Sequence, residues 1–164
     1  MFRQEHINKP KVVALTDMLR EINPEITNDL RVVSKGYTGQ KLSGYIFLCV
    51  DTIELRREIA TSNKDNPYIK AMFDFRMRLE DAQHYAADWA DMERVDGFIG
   101  TMDFSHEEAA AETPVSACNV TLSVAPTIRM VSSLGVTNFI NFVKGQELKK
   151  MILIDAFQFD LVAV

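Results

Sequence analysis

Two side chains in this 164-residue sequence stand where a reaction could use them, Cys118 and Asp51. Cys118 lies in a polar loop, shortly ahead of a helix opened by Pro126. The thiolate is the nucleophilic form of cysteine, and a nearby helix N-terminus lowers a thiol pKa. Unreactive buried cysteines are common as well, so both readings of Cys118 stand. Asp51 closes the apolar run "YIFLCVD". Open α/β sheets bind ligands beyond the C-terminal ends of their strands. An aspartate in that place can equally cap the helix that follows. Cys49, inside the same run, reads as core. His84 and His106 have no partner at triad or metal spacing and read as surface or loop positions. With no C-x-x-C and three scattered histidines, a four-ligand structural zinc site is not expected.

The elements that would position these residues follow from periodicity. Val12, Leu15, Leu19 and Ile22 recur at helical spacing, which predicts an amphipathic helix over residues 10–22, closed by Asn23-Pro24. "LRVVS" reads as a short strand and "KGYTGQKLSG" as a loop. "YIFLCVD" reads as a strand buried on both faces, as in a helix-covered parallel sheet. "TIELRREIATSN" is the helix after it. Residues 68–89 alternate as two antiparallel strands, and "DMERVDGFI" is a short helix. Ser105-x-x-Glu108 forms a capping box for a brief helical turn. A long helix spans residues 126–144 and stops at Gly145. "MILIDAFQFDLVAV" supplies two strands around a tight bend. The order is that of one α/β domain over residues 1–164.

Bulk properties exclude several classes. At 47% hydrophobic and 25% charged residues, the chain can bury a real core. A net charge of -5 with no dense Lys/Arg block argues against nucleic acid as a partner. Two distant cysteines do not make a disulfide framework, which favours a reducing cytoplasm. No apolar signal core is present. The most apolar long stretch is interrupted by Arg129, Asn138 and Asn141, so no membrane span is expected.

Four stretches taken together resemble the ThiF/MoeB/HesA family, the ubiquitin-activating-type adenylating enzymes. They are "FRQ…NKPKVVAL…EINPEI", "FLCVDTIELRREI", "CNVTLSVAP" and "MILIDAFQFDL". "DFRMRLE" also resembles a D-x-R-M-x-x-E strand of phage- or plasmid-type members. The resemblance implies a Rossmann-like activating-enzyme fold, a mixed sheet flanked by helices. It implies ATP and Mg as cofactors, and adenylation of the C-terminal carboxylate of a ubiquitin-like or sulfur-carrier protein. Charge builds at the α-phosphate in such a reaction and calls for cations there, and the magnesium needs an acid. The resemblance assigns Arg3 and Lys11 to the phosphates, Gln4 to orientation, Asp51 to magnesium and Arg56 to the family's helix arginine. It places Cys118 at the position used for acyl transfer or persulfide chemistry, and residues 101–117 in a crossover loop over the carrier's tail. Read from the residues alone, Arg3 and Gln4 are terminal positions, Lys11 is a solvated helix charge and residues 101–117 are a solvated connector.

The sequence contains no G-x-G-x-x-G turn and no second strand carrying an acid for the ribose. The resemblance therefore covers the C-terminal two-thirds of an activating domain, lacking its first two strands. Two functions follow as expectations. One is part of an adenylating enzyme completed by a chain or segment that supplies the nucleotide cradle. The other is a non-catalytic interaction or regulatory protein that keeps a dimer or carrier-binding surface. Two strands missing between "LRVVS" and "YIFLCVD" would leave unpaired edges, which predicts a homodimer or a strand-supplying partner.

Overall fold

The computed structural model describes residues 3–28, 31–33, 35–111 and 125–164. They fall into two compact units, Met1–Thr38 and Gly39–Val164.

The first unit is built on helix α1, Lys11–Ile22, with 3₁₀ turns at Gln4–His6 and Pro24–Asn28. Pro10 immediately precedes α1, with φ at -54°. A proline suits a helix start because its missing N–H would be unpaired there anyway. The exit is equally local. Asn23 donates its N–H to Leu19 O at 2.9 Å and then turns extended, φ -141°. Pro24 disfavours helical geometry in the residue before it. The predicted apolar face is not a buried one, because Val12, Leu15 and Ile22 are exposed. Of "LRVVS", expected as a strand, residues 31–33 are described. Residues 31–33 carry no strand, and Val32 and Val33 are exposed. Strand propensity is weak without a neighbour to pair with, and this segment has none in the sheet.

The second unit is an α/β layer. Its strands are β1 (Gly44–Leu48), β2 (Ile69–Met77), β3 (Asp81–Asp88), β4 (Met151–Asp155) and β5 (Asp160–Ala163). They form one mixed sheet in sequential order. β1 runs parallel to β2, and every later pair is antiparallel. Among the described residues β1 is an edge strand of this sheet, paired with β2 alone. For that reason its predicted two-sided burial fails: Phe47 is exposed and the strand ends at Leu48. Cys49, expected in the core, lies beyond that end and is exposed.

Helices flank the sheet: α2 (Ile53–Ser62), α3 (Met92–Gly100), α4 (His106–Ala111) and α5 (Ala125–Val143). α5 packs over β2, β3 and β4. Its Val131 joins Ala82, Ile152 and Ile154 in one buried cluster. Ala71, Phe73, Ala86 and Leu148 form a second, against Phe139 and Phe142 of the same helix. Successive strand residues point to opposite faces, so Met72 and Asp74 face away from α5, toward α2. Trp89 locks that side by donating its indole N–H to Asn63 O at 2.8 Å and meeting Phe98 edge-on.

Local signals account for the helix ends. Leu55 N–H donates to Thr52 Oγ1, so Thr52 caps α2 and Asp51 does not. Asp91 Oδ1 caps α3 by accepting from Glu93 and Arg94 N–H. The predicted capping box is present: Ser105 N–H donates to Glu108 Oε2 at 2.7 Å, and Glu108 N–H donates to Ser105 Oγ at 3.1 Å. The Ser105 N–H, and after it the Ser105 side chain, hydrogen-bond the Glu108 carboxyl and hold it below its ordinary pKa. α5 stops at a left-handed Gly145, φ 82°, and Gln146 N–H returns to Asn141 O.

Candidate functional site

The parallel pair sets the geometry of the candidate site. At its C-terminal end, β1 breaks off at Leu48 and the chain passes through Cys49, Val50 and Asp51 into α2. Arg56, one turn into α2, ties this end together. Its Nε and Nη2 donate to Val50 O at 2.9 and 2.5 Å, and its Nη1 donates to Phe75 O at 2.8 Å. The same Nη1 pairs with Asp74 Oδ1. Arg76 Nε takes the other oxygen, Asp74 Oδ2, at 2.6 Å. Arg76 also donates to Thr101 O at 2.7 Å and Thr101 Oγ1 at 2.8 Å, and it lies over the rings of Tyr85 and Phe104.

The Asp74 side chain is 0% exposed, and the two arginines are 12% and 13% exposed. A buried carboxylate is costly unless it is paired and hydrogen-bonded. Here both oxygens are satisfied by guanidinium groups, one from α2 and one from β2 itself. The clamp holds the ends of β1 and β2, the start of α2 and the end of α3 in fixed relation. Beside it a cleft of about 300 Å³ is lined by Arg76, Arg78, Gln83, Phe104 and Glu108 among others. Its cations are committed, since Arg78 Nε donates to Asp81 Oδ2 at 3.0 Å. A cleft with its cations already paired offers little to an anionic ligand.

On the other face His84, expected at the surface, is fully buried on β3. Its Nδ1 lies 3.0 Å from the Asp74 carbonyl, which can only accept, so Nδ1 carries the proton. Nε2 then accepts from Asn138 Nδ2 at 3.2 Å. Asn138 is fixed in turn, donating to Lys149 O and accepting Lys149 N–H. Burial lowers the His84 pKa, opposed by the backbone bond to Asp74 and the charge of its carboxylate. The unfolded chain therefore takes up a proton at a pH where the folded one does not. Stability from this group is full above the ordinary histidine value of about 6.5 and falls as pH drops below it. We expect denaturant midpoints to decline from pH 7 toward pH 5, and His84→Gln to flatten the profile over that interval. A slope unchanged by the substitution would remove His84 as its cause.

The residues singled out from the sequence take different places. Asp51 is exposed, and no hydrogen bond or ion pair reaches it among the described residues. Arg56 is committed to the clamp. Cys49 is exposed, and its thiol is raised by desolvation, with Arg56 opposing and Asp74 reinforcing. Arg3, Gln4 and Lys11 belong to the first unit and are exposed. The Arg3 fork is filled by Glu21, with Nη1 to Oε1 at 2.8 Å and Nη2 to Oε2 at 2.5 Å. That bond, more than the paired charge, raises the Arg3 pKa. Lys11 opens α1. Cys118, with residues 112–117 of the expected crossover loop, lies outside the described residues. Sequence reasoning missed Asp74 and Arg76 as a pair. Their signal was the alternation of "MFDFRM", which sends Asp74 and Arg76 to one face and the phenylalanines to the other.

Among the described residues no cluster of three or more His, Cys, Asp or Glu side chains could hold a metal ion. No described helix is long and apolar enough to cross a membrane. In comparisons with known proteins, no family model matches the chain, and no curated protein matches it.

Proposed function

We propose that this chain belongs to an ATP-dependent adenylating system of the ThiF/MoeB/HesA type, acting on the C-terminal carboxylate of a ubiquitin-like or sulfur-carrier protein. In this reading its sheet is the later part of a Rossmann-like activating fold, and the glycine-rich nucleotide cradle comes from outside these 164 residues. The observation that carries the reading is Asp51. Among the described residues it is an unpartnered, exposed carboxylate just past the C-terminal end of a parallel strand, immediately ahead of a helix capped by its neighbour Thr52. Open α/β sheets bind their ligands in that place, and the sequence resemblance assigns Asp51 to magnesium there.

The residues fit such an ion. Magnesium bound with nucleotide needs one or two carboxylates, with phosphate oxygens and water completing the shell. An isolated aspartate suffices where a three-residue metal cluster is lacking. Bound there, magnesium would offset charge on the phosphates. Arg56 acts through position instead of contact: by holding Val50 O it fixes the backbone that carries Asp51. In the first unit, described by itself, Arg3 is held by Glu21, and among the described residues no ion pair reaches Lys11.

Saturation-transfer NMR with ATP and magnesium tests the reading. We expect weak transfer to the adenine protons that requires magnesium and is lost in Asp51→Ala, with the circular dichroism unchanged. Transfer that persists without magnesium, or that is indifferent to Asp51→Ala, would overturn it. A second reading, a non-catalytic interaction protein, is favoured by one observation: β5 is exposed along its whole length.

A further inference from the structure

Among the described residues β5 pairs with β4 alone, so its other edge is open. Val164 and Met151 exchange both main-chain hydrogen bonds, at 3.0 and 3.1 Å. The N–H and C=O of Val164 therefore point at β4. Bonding direction alternates along an antiparallel strand. Asp160 and Val162 follow Val164 toward β4, and Leu161 and Ala163 turn their main-chain groups outward. The β4–β5 register is unbroken, and no lysine, proline or bulge blunts the edge. Those are the devices by which edge strands usually avoid pairing. Leu161 and Val162 are also exposed as side chains, so the edge has apolar surface on both faces.

Charge is polarised along this hairpin. Asp155 and Asp160 stand opposite one another at its turn end. Lys149 and Lys150 lead into β4 at the other end, next to the Met151–Val164 pair. The strand pair is acidic at one end and basic at the other.

We propose that β5 pairs antiparallel with β5 of a second copy of this chain, about a two-fold axis at Val162. In that register Leu161 meets Ala163 of the second copy and Ala163 meets its Leu161. Each pair exchanges both of the outward main-chain hydrogen bonds. Val162 faces its own counterpart as a non-hydrogen-bonded pair, where side chains come closest and β-branched pairs are favourable. The same rotation carries the acidic end of each hairpin to the lysine end of the other. Parallel self-pairing would instead set Asp160 against Asp160, a destabilising like-charge contact. The other open edge, β1, fits less well, because Leu48 is buried and Phe47 is its one exposed residue. The two five-stranded sheets become one continuous sheet, and the inference does not depend on nucleotide binding.

The register makes the test specific. In a Cys49→Ser, Cys118→Ser background, Val162→Cys places one thiol on the axis. The Cα separation of a non-hydrogen-bonded pair, about 4.5 Å, lies within disulfide range. We expect Val162→Cys to form a covalent dimer on mild oxidation, at least about tenfold faster than Ala163→Cys, whose neighbour is Leu161. Ala163→Pro removes an outward N–H and leaves the β4 ladder intact, as proline at a sheet edge can. In sedimentation velocity across a dilution series it should raise the dimer Kd by at least about tenfold, and added salt should weaken the wild-type dimer. A wild-type monomer at every concentration, equal oxidation at positions 162 and 163, or a dimer indifferent to Ala163→Pro would each overturn the proposal.

Discussion

Asp74→Asn should cost about 3–5 kcal/mol of folding stability, the usual penalty for removing one partner of a buried ion pair. The substitution keeps the size and shape of the side chain, so packing loss is not the reason. Asp74 is 0% exposed and its two oxygens receive Arg56 and Arg76, themselves about nine-tenths buried. An amide leaves both guanidinium groups without a counter-charge. One of its two heteroatoms also becomes a donor facing a donor. Neither arginine can leave freely, because Arg56 also binds Val50 O and Phe75 O, and Arg76 binds Thr101. Set against total stabilities of about 5–15 kcal/mol for single domains, the loss approaches unfolding. Urea titration checks it. With a slope of about 2 kcal/mol/M, the midpoint should fall by about 1.5 M or more. A shift below about 0.5 M would show that the clamp is not what holds the ends of β1 and β2.

Gly135→Val is expected to destabilise by about 3 kcal/mol, at the upper end of overpacking costs. In helix α5, glycine is intrinsically worse than alanine by about 1 kcal/mol, so propensity alone argues for replacing it. Tertiary contact argues the other way. A Cβ at Gly135 would strike the Phe75 ring, with Cζ at 2.7 Å, and would press on His84 Nδ1 at 3.1 Å. The ring sits beside the fully buried His84, which is bonded on both nitrogens and cannot yield without losing a bond. For Gly135→Ala, overpacking of about 1–3 kcal/mol outweighs or cancels the helix gain. Valine adds two methyl groups to the same collision. A double variant with Phe75→Leu should recover much of the loss, a coupling expected of residues in contact. If Gly135→Val unfolds at the wild-type denaturant concentration, α5 does not approach the sheet as closely as described.

Much of the fold was legible residue by residue. Pro10 and Asn23-Pro24 bound α1, the Ser105–Glu108 box opens α4, and Gly145 ends α5, because each acts through bonds to its own neighbours. The strand pair over residues 69–88 was legible from alternation, and the β4–β5 hairpin from two apolar runs around a bend. What failed was any reading that depended on a distant partner. "LRVVS" has the composition of a strand, but pairing is supplied by other segments, and among the described residues none supplies it to residues 31–33. "YIFLCVD" looked doubly buried, but as an edge strand it leaves Phe47 and Cys49 in solvent.

The candidate site divides along the same line. Asp51 could be placed at a strand end from sequence, because strand and following helix are contiguous. That Thr52, not Asp51, caps α2 is decided by backbone angles at the junction. The Arg56–Asp74–Arg76 clamp joins residues 18 apart in the chain, brought together only by the parallel crossover from β1 to β2. His84 had no spaced partner in sequence, since its partners are the Asp74 carbonyl across the sheet and Asn138 on α5. Strand alternation, the Ser105–Glu108 box and the helix stops at Asn23-Pro24 and Gly145 are local chemistry, and the sequence alone determined them. Burial, ion pairing and the open edge of β5 are properties of which elements end up adjacent, and only the tertiary structure decided those.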